Sequence, residues 1–176
     1  KVTPDISMSD KQTIRHSFTD ACIDIAPTTC YQVAYYKTPI TIPVTQSGHI
    51  ITSPRCCRSD LILNAYTQAE VGATYYTEIP GAQSNSIGSS SPIFSKEEAI
   101  LICANSKFEY DYSATMGPGL KTDSIRYEFV PAYDGGNQRE VAPVPAAPPP
   151  YQPLSYIPPY IASSPLGENV TIDPHT

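Results

Sequence analysis

The sequence has no tryptophan, only two methionines and little charge: 11 Lys and Arg with 17 Asp and Glu, 16% of 176 residues. Lys and Glu are scarce beside Tyr, Thr and Ile, and Ser and Thr together outnumber the charged residues. That profile withholds the strong helix formers and excludes an all-helical bundle. The formal net charge is −6 and no basic cluster occurs. The patch that binds nucleic acid or anionic membranes is therefore missing. No run approaches the ~18 consecutive apolar residues of a membrane span. His16, His49 and His175 are dispersed and there is no C-x-x-C pair, so neither a structural zinc site nor another metal is expected. G-x-S-x-G, H-E-x-x-H and Gly-rich phosphate loops are absent too, and the chain reads as a non-enzyme without a cofactor.

Hydrophobic residues make up 40%, which is enough for a core. Short apolar runs broken by turn residues predict strands at Cys30–Tyr36, Pro39–Val44, His49–Ser53, Leu61–Tyr66, Gly72–Ile79, Ala99–Cys103, Lys107–Tyr112 and Ser124–Val130. A helical turn is conceivable only near Ser95-Lys96-Glu97-Glu98, where Ser and Glu have capping-box spacing. About eight short strands between turns are the mark of a β-sandwich. Residues 1–21 read as an N-terminal arm or edge strand, and residues 22–140 as the sandwich. The start at Lys1 fits either a processed chain or a segment of a longer one.

Five cysteines, Cys22, Cys30, Cys56, Cys57 and Cys103, are disulfide candidates, a usage that favours an oxidising, extracellular compartment. Cys22 and Cys30 would close a short loop. On a strand, Cys56 and Cys57 point to opposite faces, so each seeks a different partner. Cys103 is the natural partner of whichever faces the core, and the thiol left over is either buried or bonds another chain.

The texture changes at Val141, and residues 143–159 hold eight prolines. Proline lacks the N–H that a central strand needs and favours an extended polyproline conformation. Tyr151, Tyr156, Ile157, Tyr160 and Ile161 supply apolar anchors, so residues 141–176 are expected to pack on the domain or on a neighbouring copy.

Several strings occur in a telling order. They are Pro54-Arg55-Cys56-Cys57-Arg58-Ser59, Gly72-Ala73-Thr74-Tyr75-Tyr76-Thr77-Glu78-Ile79-Pro80, Ser90-Ser91-Pro92-Ile93-Phe94 and Ile102-Cys103-Ala104-Asn105. Pro148-Pro149-Pro150-Tyr151 and Tyr156-Ile157-Pro158-Pro159-Tyr160 follow. The series resembles modules of large Bacteroidota cell-surface proteins, gliding-motility-associated or adhesin-like, that leave the cell by type IX secretion. The resemblance covers about residues 22–176. It implies an immunoglobulin-like or cadherin-like β-sandwich with an ordered proline-rich C-terminal segment, secreted and non-enzymatic. The family tends to carry an acidic, calcium-suggesting stretch where this chain has Met116–Ser124, of which Asp123 alone is acidic. The family's further cysteines are replaced here by Gly88 and Val130, which would leave a thiol of Cys56 or Cys57 without its partner.

Tyr35-Tyr36, Tyr75-Tyr76 and Tyr110 with Tyr112 suit either sugar stacking or cross-strand packing, the second being the commoner role. Arg55 and Arg58, beside the double cysteine, are expected to bond carbonyls or an acidic neighbour such as Asp60. Asn169-Val170-Thr171 is an N-x-T sequon, and Asp123-Ser124-Ile125 resembles the Bacteroidota O-glycosylation acceptor, which makes Asn169 and Ser124 glycosylation candidates. The resulting expectation is an extracellular structural protein whose partners are other copies of itself and, as a lesser prospect, glycans. Assembly would run through β-strand and Pro/Tyr tail packing. The alternative is a secreted carbohydrate-binding module.

Overall fold

A computed structural model describes residues 4, 6–17, 28–66, 71–84, 88, 90–94, 103, 106–117 and 124–175, the side chains of 15–17 and 28–30 excepted. Among these residues there is no helix, and the regular structure is β throughout. Among the described residues six strands form three two-stranded antiparallel sheets. Strand β1 (Met8–Ser17) pairs β2 (Thr28–Tyr36), β3 (His49–Arg55) pairs β4 (Ala73–Ile79), and the short β5 (Ile93–Phe94) pairs β6 (Ala114–Thr115). The chain divides into two compact units, Lys1–Pro43 with Ser91–Gly117, and Val44–Ser90 with Pro118–Thr176.

In the first unit, β1 takes up most of the described N-terminal residues. β1 runs against β2 from Met8 opposite Tyr36 to Ser17 opposite Thr28, with an irregularity between Met8 and Asp10. Ser9 Oγ donates to the Tyr35 carbonyl at 2.8 Å. β2 keeps the period of two expected of β-branched and aromatic residues: Tyr31, Val33 and Tyr35 are half-buried while Gln32, Ala34 and Tyr36 are exposed. The expected strand over 107–112 forms no ladder. There Phe108 and Tyr110 lie nearly parallel, with centroids 6.2 Å apart, and Tyr110 meets Tyr112 edge-on at 4.8 Å. Lys107 and Glu109 pair at 2.6 Å, but both are so exposed that the bridge contributes little.

The second unit is built around β3–β4, in register from His49 opposite Ile79 to Arg55 opposite Ala73. Its buried centre is small, with Ala65 at 2% and Ala73 at 8% exposure. Gly72 lies beside them, and a Cβ there would collide with the Gly135 and Arg55 carbonyl oxygens, so only glycine lets these backbones meet. Three runs of the chain expected as strands, 39–44, 61–66 and Ser124–Val130, are irregular, and in the last Tyr127 N bonds Pro174 O with no ladder formed. Residues 39–44 contain Pro39 and Pro43, each without the N–H a ladder requires. Residues 61–66 begin in a turn, with Ile62 N donating to Ser59 O, and leave Leu61 and Leu63 more than four-fifths exposed. The expected strand Ala99–Cys103, Cys103 apart, and the expected turn at 95–98 lie outside the described residues.

Candidate functional site

The Pro/Tyr segment is the best-defined candidate, and its backbone explains how it is held. Leu154 N donates to Ala132 O at 2.8 Å and Asp134 N to Gln152 O at 2.9 Å. A few residues on, Tyr66 N donates to Ser155 O at 3.0 Å and Ile157 N to Asn64 O at 3.1 Å. Bridges Tyr133–Pro153 and Ala65–Tyr156 mark the two edges. Residues 152–157 thus span between two other stretches of their own unit, using the carbonyls and N–H groups that the prolines leave available. Asn64 Nδ2 also donates to Pro165 O, tying the next turn of the segment down.

The side chains complete this docking. Tyr151 lies 5.3 Å from Tyr76 and 5.8 Å from Tyr133, and Tyr76 and Tyr133 are 5.8 Å apart. The ring planes cross at 40–66°, a packed cluster rather than a flat platform. Tyr133 is the first cause of a raised Tyr76 pKa, through its charge, followed by burial of the Tyr76 phenol and a hydrogen bond with Tyr133. The hydroxyls of Tyr151 and Thr52 are buried without a hydrogen-bond partner. Of the anchors expected from sequence, Tyr151, Tyr156, Ile157 and Tyr160 are half-buried within their own unit, and Ile161 is 56% exposed.

Beneath the cluster is a hydrogen-bonded knot. Arg58 Nε donates to Gly72 O at 2.7 Å and Nη2 to Tyr133 O at 3.2 Å, so Arg58 takes carbonyl partners as expected, while Arg55 is exposed. Asp134 Oδ1 accepts from both Gly72 N and Gly135 N at 2.7 Å, and Thr74 Oγ1 donates to Asp134 O. The knot's second half was not anticipated. Its signal was the string Asp134-Gly135-Gly136, in which Gly136 takes a φ of 76°.

The cysteines require a correction. Cys56 and Cys57 are bonded to each other, across a cis peptide with Cα atoms 3.0 Å apart, and not to separate partners on opposite faces. The reason is positional: β3 ends at Arg55, so strand alternation does not reach the pair. From there Cys56 N bonds Val141 O and Arg58 N bonds Val71 O, each at 2.8 Å, in a path of their own. Cys103 is disulfide-bonded as well, so it is not the partner of Cys56 or Cys57, and neither of those two is the thiol left over. Cys22 and the Cys30 side chain lie outside the described residues. No family model, curated protein or solved structure matches this chain. Its site therefore stands on its own chemistry.

Asn169 and Ser124 are both exposed, and Asp123 lies outside the described residues. Among the described residues no group of His, Cys, Asp and Glu could hold a metal ion, and no helix is long and apolar enough to cross a membrane.

Proposed function

We propose that the chain is a non-enzymatic extracellular structural protein, the subunit of a bacterial surface filament or a module of a long surface adhesin. On this reading its fold completes as an immunoglobulin-like or cadherin-like sandwich. The observation that carries it is the mismatch between covered and uncovered apolar surface. Ala65 and Ala73 are the buried hydrophobics among the described residues, while Ile50, Ile51, Tyr75, Ile93, Phe94 and Val144, among others, are exposed. Two-stranded sheets are marginal alone and gain stability from a third strand or a covering layer. Neighbouring copies supply both through sheet edges and faces.

The Pro/Tyr segment has a specific part in this. It docks on its own unit through 152–157, and the stretch before it, 142–150, is largely exposed and rich in proline. Nine residues of extended polyproline reach about 28 Å, enough to carry the same anchors to an adjacent copy. The same backbone bonds then form between chains, as in exchange of an identical element. Sedimentation of the full chain over a hundredfold concentration range, with electron microscopy of the heaviest fraction, tests the reading. Linear particles that lengthen with concentration support assembly between copies, and a monomer throughout overturns it. The second reading, a carbohydrate-binding module, draws on Phe108 and Tyr110, whose rings are inclined by only 15°. Affinity for immobilised glycans that is lost in Phe108→Ala would favour it.

A further inference from the structure

The segment after the docked tail presents one side chain differently from its counterparts elsewhere. Asn64 and Asn137 are both committed: Asn64 Nδ2 donates to Pro165 O, and Asn137 Oδ1 accepts from Arg139 N and Glu140 N at 2.9 Å. Asn169 is exposed and its carboxamide has no hydrogen-bond partner among the described residues. It occupies the third position of a turn closed by Val170 N donating to Gly167 O at 3.3 Å, with Gly167 at a φ of 90°. Thr171, two residues on, is exposed as well. The loop is anchored on both sides, by Gly167 N on Ser164 O and by Tyr127 N on Pro174 O, so residues 168–173 project between two fixed points. Asn169-Val170-Thr171 is the one N-x-S/T string in the sequence.

We infer that Asn169 is an acceptor for an N-linked oligosaccharide. An oligosaccharyltransferase needs an asparagine amide free to react, a hydroxyl residue two positions later and a backbone that opens into its peptide groove. The first two are in place. The third follows from a turn closed by a single, long backbone hydrogen bond on an exposed loop, which opens readily. In the transfer, Asn169 Nδ2 attacks the anomeric carbon of a sugar carried on a lipid pyrophosphate. The C–N bond forms, the bond from that carbon to the pyrophosphate oxygen breaks, and the amide proton passes to the transferase. The lipid pyrophosphate leaves, and no oxidant or reductant is involved. A glycan on Asn169 would sit beside Leu166 and Val170, exposed at 59% and 40%, and would add hydration to a chain in which only 16% of residues are charged.

This inference is independent of the assembly reading, because it needs an accessible loop and not a neighbour. The folded full chain, and separately a peptide spanning 165–174, are given to a microsomal oligosaccharyltransferase with a lipid-pyrophosphate-linked oligosaccharide. Both are read by intact mass and by glycopeptide mapping. The expected result is one glycan per chain on Asn169, abolished by Asn169→Gln and Thr171→Ala and retained by Thr171→Ser. Modification of the peptide but not of the folded chain overturns the proposal, since the fold would then withhold the site. Modification of neither overturns it equally, and so does a glycan that survives Thr171→Ala.

Discussion

Arg58→Ala isolates the knot beneath the tyrosine cluster. The guanidinium is half-buried and makes two hydrogen bonds to backbone carbonyls, at 2.7 Å to Gly72 O and 3.2 Å to Tyr133 O. Their consequences differ. Tyr133 O also accepts from Thr74 N at 3.1 Å and keeps a partner when the arginine is removed. Gly72 is buried, and its carbonyl would be left facing the gap. A buried acceptor stripped of a charged donor costs about 1–3 kcal/mol, and the second, weaker bond adds about 1 kcal/mol, giving ~2–4 kcal/mol for the substitution. Arg58→Lys keeps the charge but not the fork, so about half of that loss is expected. Arg55→Ala, at an exposed position two residues before Arg58's disulfide neighbour, should stay within about 0.5 kcal/mol. Urea unfolding followed by tyrosine fluorescence reads the difference, and at a slope of ~2 kcal/mol/M the Arg58→Ala midpoint falls by about 1–2 M. If Arg58→Ala and Arg55→Ala unfold at the same midpoint, the carbonyl clamp contributes nothing and the reasoning is refuted.

Three further outcomes are expected. Tyr151→Phe removes a buried hydroxyl that has no partner, so it should be neutral or stabilising by up to ~1 kcal/mol, whereas Tyr151→Ala should cost ~2–4 kcal/mol and expose the 142–157 stretch to protease. Equal losses in the two variants would show that the ring is not what holds the segment. Ultraviolet titration of the phenols should find Tyr76 ionising above the ordinary tyrosine range, moving back toward it in Tyr133→Phe. The sign follows from the raised value: the stabilisation is complete below the unfolded tyrosine pKa of about 10 and is lost as pH climbs through the folded one. A midpoint of unfolding insensitive to pH across that alkaline window would contradict it. Trypsin should release Cys56-Cys57-Arg58 from unreduced protein as a fragment lighter by two hydrogens than after reduction, and alkylation without reduction should label neither Cys56, Cys57 nor Cys103. Recovery of a doubly alkylated fragment from unreduced protein would refute the pairing.

How far the sequence could be read depended on whether a feature was local. The all-β character followed from composition. The cores of β2, β3 and β4 followed from short runs of Tyr, Val, Ile and Thr, whose preference for extended backbone is a property of each residue. Arg58 was assignable too, because a guanidinium next to a polar turn finds carbonyls wherever the turn leads. What escaped was set by distant partners. Leu61–Tyr66 has the composition of a strand, yet its partner is the short stretch 155–157, cut off by Pro153 before it and Pro158 after it, so two backbone bonds and a bridge replace a ladder. Gly72 reads as the start of a strand, and nothing beside it announces that the Gly135 backbone will occupy the space of its missing side chain. The double cysteine failed for a related reason. Its alternation was argued from a strand assumed to continue, and the strand ends one residue earlier, where Val141 and Val71 redirect the backbone. The first two misses share a source: proline and glycine remove a donor or a side chain locally, but the contact that takes advantage of the removal comes from roughly 60 to 90 residues away. In a chain with 19 prolines, that makes long-range backbone contact, more than hydrophobic period, the determinant of its second unit. It is also why a segment so rich in proline is the piece that joins the unit's parts.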